Sequence, residues 1–146
     1  MVANPHSTDS TPSKKYPKVG TRGTGRRKEA IVRVRLVTGT GAVVINGKSM
    51  DEYLGHRKAL HIPVKQPLIA VGAEERYNVL VNASGGGIVG QSIAIRMGVA
   101  RALAAISKDY ELVMRQEGFL TRDSRIKESK KYGHKKARKR FQYSKR

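Results

Sequence analysis

The sequence predicts an α+β sandwich on three observations. Residues 29–36 and 77–83 alternate apolar and polar side chains with the two-residue period of a half-buried strand. Residues 89–106 place Ile93, Met97, Ala100 and Ala104 at helical spacing. Strands are thus followed by helices and then by another extended segment, the order that suits the α+β class.

The elements follow in order along the chain. Residues 1–24 are rich in Ser, Thr, Pro and Gly and hold little that a core could bury, so no regular element is assigned there. From Glu29 onward Val32, Val34 and Leu36 point one way while Arg33 and Arg35 point the other, giving a strand with a wet, basic face. Thr38-Gly39-Thr40-Gly41 reads as a turn and Ala42 to Ile45 as a second strand, closing at Asn46-Gly47. The pair looks like a hairpin. Ser49 followed by Glu52 fits a capping box, since hydroxyl and carboxylate can satisfy free amides at the start of a short helix. Residues 56–71 read as helical in part, with Pro63 and Pro67 arguing against an unbroken helix. Tyr77, Val79, Val81 and Ala83 alternate with Asn78, Leu80 and Asn82 as a third strand, which runs into SGGGIVGQ. The helix from Val89 to Ile106 presents Ala94, Gly98, Ala102 and Ala105 as a small-residue surface. Gly98 costs a helix interior roughly 1 kcal/mol relative to Ala, so its presence predicts close approach of a neighbour. A last short helix, Lys108 to Glu117, stops at Gly118.

Composition restricts the partner. The chain of 146 residues is 38% hydrophobic, enough for one modest domain, and carries 30 Lys and Arg against 11 Asp and Glu, a net charge of +19. That excess points to a polyanion, with nucleic acid the leading candidate. Cys is absent, so disulfides and thiolate metal sites do not arise. No apolar run approaches the roughly 20 residues that cross a bilayer, and MVANPHSTDSTPSKKYP lacks the apolar stretch of a signal peptide. A soluble, non-secreted protein is expected, with no membrane partner.

The charge is unevenly placed. Residues 36–121 hold nine basic and seven acidic residues, residues 1–35 nine and two, and residues 122–146 twelve and two. Seventeen of the nineteen net charges therefore lie in the flanks. The expected division is a flexible arm over 1–22, a globular domain over 23–121, and an extended basic tail over 122–146.

Enzyme chemistry finds little to use. Gly85, Gly87 and Gly90 satisfy GxGxxG between a strand and a helix, the spacing of a dinucleotide fingerprint. The DYELVMRQEGFLTRD that follows the helix shows no clear buried strand to complete a βαβ unit. The motif suits a tight strand-to-helix turn, or a helix start facing an RNA phosphate. No Gly-Lys-Ser/Thr follows the glycines, so a Walker A loop fails. His6, His56, His61 and His134 are scattered without metal-ligand spacing, Glu74-Glu75 beside Arg76 suits a solvated turn, and no nucleophile has an orienting base. Neither catalysis, cofactor nor metal is expected.

The tail does have a mechanism. Its cations can neutralise phosphates and release counterions, while Tyr132, Phe141 and Tyr143 can stack on exposed bases or ribose edges. Fully extended, residues 122–146 reach roughly 80 to 90 Å, far beyond the radius of such a domain, so the tail can enter a large RNA.

GTGRRKEAIVRVRL at 23–36, SGGGIVGQSIAIRMGVARAL at 84–103, LTRDSR at 120–125 and KKYGHKKARKRFQYSKR at 130–146 closely resemble the small-subunit ribosomal protein nine family in its bacterial or organellar form. The resemblance covers about residues 20–146, with the motifs in family order. It implies a small mixed sheet packed with helices, like the second domain of ribosomal protein five, in a structural protein of the small-subunit head. The partners it implies are small-subunit rRNA, neighbouring head proteins, and the tRNA in the peptidyl site of a cytoplasmic or organellar ribosome. Carried over by position, Ser144, Lys145 and Arg146 would meet the anticodon stem-loop, with Arg146 the foremost phosphate contact. Arg26, Arg27 and Lys28 would bind rRNA, together with Arg122, Arg125, Lys127, Lys130, Lys131, Lys135, Lys136, Arg138, Lys139 and Arg140. His134 stands where the family commonly has an apolar residue and Phe141 where Pro is frequent, so the tail's path need not follow the family's there. The same resemblance makes GGGIVGQ a segment for fold and RNA contact instead of nucleotide binding. The competing expectation is a general RNA chaperone with a nonspecific basic tail.

Overall fold

The computed structural model describes residues 20–145, so most of the expected N-terminal arm and Arg146 lie outside the described residues. The elements run β1 (Thr21–Arg27), β2 (Ala30–Thr38), β3 (Val43–Ile45), β4 (Lys48–Ser49), α1 (Met50–Leu54), α2 (Lys58–Ala70), β5 (Tyr77–Ser84), α3 (Ile88–Ala104) and α4 (Lys108–Gln116). One mixed sheet has the order β1-β2-β5-β3-β4, and α3 lies across β1, β2 and β5 with α2 and α4 packed against it. This is the expected α+β class.

The strand alternation becomes an inside and an outside. Val32, Val34 and Leu36 of β2 and Val79 and Val81 of β5 are buried, joined by Ile45 from β3 and by Ile95, Val99 and Leu103 from α3. Each such side chain, withdrawn from water, contributes about 1.5–3 kcal/mol. Of the residues of opposite parity, Ile31 and Arg33 in β2 and Asn82 and Ser84 in β5 are exposed on the face away from α3, while Arg35, Val37, Asn78 and Leu80 are half-buried there.

Three expectations change. Residues 21–24, expected to be unstructured, begin β1, a full edge strand paired antiparallel with β2 from Thr21↔Leu36 to Arg27↔Ala30. Its inward positions are Gly23 and Gly25, which carry no hydrophobic signal. A Cβ on Gly23 would strike Gly98 O and lie 2.7 Å from Ala102 N, and one on Gly25 would strike Ala94 O. Helix backbone thus packs directly on strand backbone, which is the close approach Gly98 predicts.

The hairpin of β2 and β3 does not form either. β2 is paired on both sides, by β1 and β5, and β3 runs parallel to β5 on its far edge, Val43↔Val79 through Ile45↔Val81. The Asn78 side chain redirects the chain, its Oδ1 accepting from Thr40 N and Ala42 N at 2.9 Å each. Lastly, α2 is continuous through Pro63 and Pro67. The two prolines are one turn apart, and Val64, Pro67 and Leu68 are buried, so tertiary packing offsets the missing amides.

β4, the two-residue strand Lys48–Ser49 paired with β3, is not among the expected elements, whereas the remaining ones fall within two residues of their expected places. Ser49 caps α1 by accepting from Glu52 N at 3.2 Å, but the Glu52 carboxylate bridges to Lys48 Nζ at 3.2 Å, so only half of the capping box is made. At the end of α4, Gly118 N bonds Arg115 O and Phe119 N bonds Met114 O, the paired bonds of a Schellman stop.

Candidate nucleic-acid interface

The site begins at the two-residue turn between β1 and β2. Strand parity separates its three consecutive cations. Arg26 is exposed on the face that carries no helix, opposite Ile31. Arg27 has the opposite parity and is folded inward, its side chain 13% exposed. Lys28 occupies the turn at φ 51, a left-handed conformation costly to a residue with a Cβ, and is exposed.

Against this turn lies the glycine motif. Gly85 and Gly86 have φ of 68 and 63, and a Cβ on either would collide with the backbone of Glu29 or Ala30. Gln91, buried in the first turn of α3, donates from Nε2 to Gly85 O at 3.0 Å and accepts from the Tyr53 hydroxyl at 2.8 Å. After α3 the chain enters α4, so no βαβ unit is completed. The three glycines serve a turn that seats α3 beside the basic hairpin.

Arg27 then fixes where the tail departs. Its Nη1 donates to Arg125 O at 2.5 Å and to Asp123 O at 3.2 Å, while Nη2 pairs with Asp123 Oδ2 at 3.0 Å. Asp123 also accepts from Arg125 N at 2.9 Å, and this backbone bond, with Arg27 beside it, holds the carboxyl below the ordinary carboxylate range. A guanidinium fork thus binds the tail root at one side-chain and two backbone oxygens.

Past this anchor, residues 122–145 contain no helix or strand. Glu128 brackets a compact stretch, pairing with Lys131 Nζ at 2.7 Å and Arg138 Nε at 2.8 Å; those two bonds lower its pKa. Between them His134 N bonds Lys131 O and Lys135 N bonds Lys139 O. Lys135 Nζ sits 5.3 Å from the centre of the Phe141 ring, within cation–π range. Both acids of the tail are therefore structural brackets, and their signal in sequence was that they stand alone among bases.

The expected RNA-binding cations divide accordingly. Arg27, Arg125, Lys131 and Arg138 are engaged in ion pairs. Arg26, Lys28, Arg122, Lys127, Lys130, Lys136, Lys139 and Arg140 are in none among the described residues, and Lys135 has only its ring contact. Tyr132, Phe141 and Tyr143 are strongly exposed, Phe141 with Lys135 beside its ring. Ser144 and Lys145 are exposed; Arg146 is outside the described residues. Among the described residues no cluster of His, Asp and Glu could hold a metal, and no helix is long and apolar enough to cross a membrane.

Comparison with known proteins now gives the arrangement its lineage. Residues 25–146 match the model of the family described as ribosomal protein S9/S16. The small ribosomal subunit protein uS9 of Gloeobacter violaceus is 57% identical over 124 residues, covering 85% of this chain and 93% of that protein. The uS9 of Acaryochloris marina is 55% identical over 128 residues, covering 88% and 93%. The uS9c of Mesostigma viride is 52% identical over 133 residues, covering 91% and 97%. With more than half of the aligned residues identical across nearly the whole length of such relatives, the chain belongs to the ribosomal protein S9/S16 family.

Proposed function

We propose that the protein is a structural, non-enzymatic constituent of the small ribosomal subunit. In this role the hairpin and tail bind small-subunit rRNA, and the last residues meet tRNA in the peptidyl site. The observation that carries this is a tail of twelve cations and two acids, anchored at its root by Arg27 and mostly exposed over its described residues, in a chain with relatives named small ribosomal subunit proteins. A polyanion is the partner that such a segment complements. Arg26, Lys28, Arg122, Lys127, Lys130, Lys135, Lys136, Lys139 and Arg140 are the first rRNA ligands of this proposal, and Lys131 and Arg138 join them where phosphate displaces Glu128. Ser144, Lys145 and Arg146 are its tRNA ligands, and the partners at its flanks are other proteins of the subunit.

Deleting Ser144–Arg146 tests the finer part. Co-sedimentation with the small subunit should persist, while tRNA affinity in the peptidyl site falls. One phosphate contact scales affinity with salt to a power of about 0.7–0.9, so losing it costs roughly five- to eightfold at 0.1 M relative to 1 M. Unchanged tRNA affinity at several salt concentrations would remove the tRNA role. Full function of a tail scrambled at constant charge would support a nonspecific RNA chaperone instead.

A further inference from the structure

Among the described residues no helix or strand covers the face of the sheet opposite α3, and cations dominate that face. Register aligns Arg22 with Arg35 and Thr24 with Arg33 across β1 and β2, then Arg33 with Asn82 and Ile31 with Ser84 across β2 and β5. Arg26, opposite Ile31, completes the set at the hairpin end. Arg22, Arg26, Arg33 and the half-exposed Arg35 thus share one face with Thr24, Asn82 and Ser84, and with the apolar Ile31, Val37 and Leu80. None of the four arginines is in an ion pair among the described residues, and no acid has the outward parity in β1, β2 or β5.

Such a face is costly without a partner. Like charges directly opposite one another in an antiparallel pair repel, and Arg22↔Arg35 is such a pair. Arg residues two apart in a strand stand about 6.6–6.8 Å from each other. Two strands side by side therefore give an array of guanidiniums flanked by the short polar groups of Thr24, Asn82 and Ser84 and interrupted by Ile31 and Leu80. The array also lacks what base readers use: no Phe, Tyr or Trp has outward parity in these strands, Tyr77 being packed against the core. Guanidinium forks suit phosphate, and Thr, Asn and Ser suit phosphate or ribose oxygens.

We propose that this open face of β1, β2 and β5 is a second RNA-docking surface, separate from the tail, which grips the sugar-phosphate backbone of rRNA without reading bases. The surface rests on the ribosomal assignment above, and Arg22, Arg33 and Arg35 join Arg26 as its phosphate ligands.

The test uses the full chain and a small-subunit rRNA transcript, comparing wild type with Arg22→Gln/Arg33→Gln and with Lys136→Gln/Lys139→Gln in the tail. Both sheet positions are exposed, so the fold should persist; melting no lower than wild type confirms that the arginines are not there for stability. Two lost phosphate contacts should flatten the salt dependence of log affinity by about 1.4–1.8, roughly a 25- to 60-fold loss at 0.1 M relative to 1 M. Hydroxyl-radical protection should disappear at a backbone segment that the tail variant still protects. Wild-type affinity, slope and footprint in the sheet variant would overturn the proposal while leaving the ribosomal assignment intact. Wild-type rRNA binding combined with failure to enter the subunit would also overturn it, assigning the face to a protein neighbour. If the wild-type chain itself does not bind the transcript, the ribosomal assignment fails first.

Discussion

Gly25→Ala places a methyl group where β1 meets α3. The new Cβ would overlap Ala94 O and lie 2.7 Å from Gly98 N and 2.9 Å from Ala94 C. Carbon contacts are comfortable at about 3.5 Å, so strand and helix must separate by roughly 0.8 Å or more. A gap of that size forfeits a quarter to a half of the dispersion attraction across the seam. No flexible side-chain end is available to yield, because the obstructing atoms belong to helix backbone. Overpacked cores lose typically 1–3 kcal/mol, and backbone overlap puts this site at about 3 kcal/mol or above. The entropy that Ala saves in the unfolded chain, about 0.4–1 kcal/mol, recovers only a part. At roughly 4–8 °C per kcal/mol for a domain near 100 residues, the net loss of about 2–2.6 kcal/mol should lower the thermal midpoint followed by circular dichroism by about 8–21 °C. A midpoint within 2 °C of wild type would refute the claim that β1 is held to α3 backbone to backbone.

Two further outcomes concern the hairpin and the tail root. Lys28→Gly removes a left-handed cost of about 1–2 kcal/mol but adds about 0.5–1 kcal/mol of unfolded-chain entropy. Urea unfolding should thus show a net gain of about 0.5–1 kcal/mol while rRNA affinity declines, and a loss of stability would contradict the strain at φ 51. The Asp123 carboxyl is held below its ordinary range by Arg125 N and Arg27, so its grip is complete above the ordinary value and is lost as pH falls through the lowered one. The Arg125 amide shift in NMR should titrate with a midpoint below that of an unpaired Asp and stay flat in Asp123→Asn; a midpoint at or above the ordinary value would contradict the anchor.

Much of this architecture is legible because burial writes itself into sequence period. Val32, Val34 and Leu36, or Ile93, Met97 and Ala100, announce strand and helix by spacing alone. β1 escapes because its inward positions are Gly23 and Gly25, where the apolar surface comes from the helix that lies on them. The pairing of β3 with β5 escapes for another reason: it depends on the Asn78 side chain, almost forty residues away from the loop it holds. Among Arg26, Arg27 and Lys28 no residue type marks the anchor, although strand parity, once β1 is recognised, sets Arg27 apart. The tail's charge is plain from composition, whereas the task of Asp123 needs the fold that brings Arg27 to it.

The two acids of the tail explain how so basic a segment keeps any shape of its own. Asp123 engages Arg27 and Arg125, Glu128 engages Lys131 and Arg138, and these bonds account for the path from 123 to 138. The partners of Glu128 are exposed, and exposed ion pairs are weak and screened by salt. RNA phosphates presented in series would compete for Lys131 and Arg138 with the advantage of number. Arg27 differs: it is sheltered beneath the hairpin and bonded to two backbone carbonyls that no phosphate can replace. On the proposed RNA the tail root should therefore keep its direction while the stretch beyond Glu128 is rearranged, so the fixed point of the tail would be Arg27 and not a residue of the tail itself.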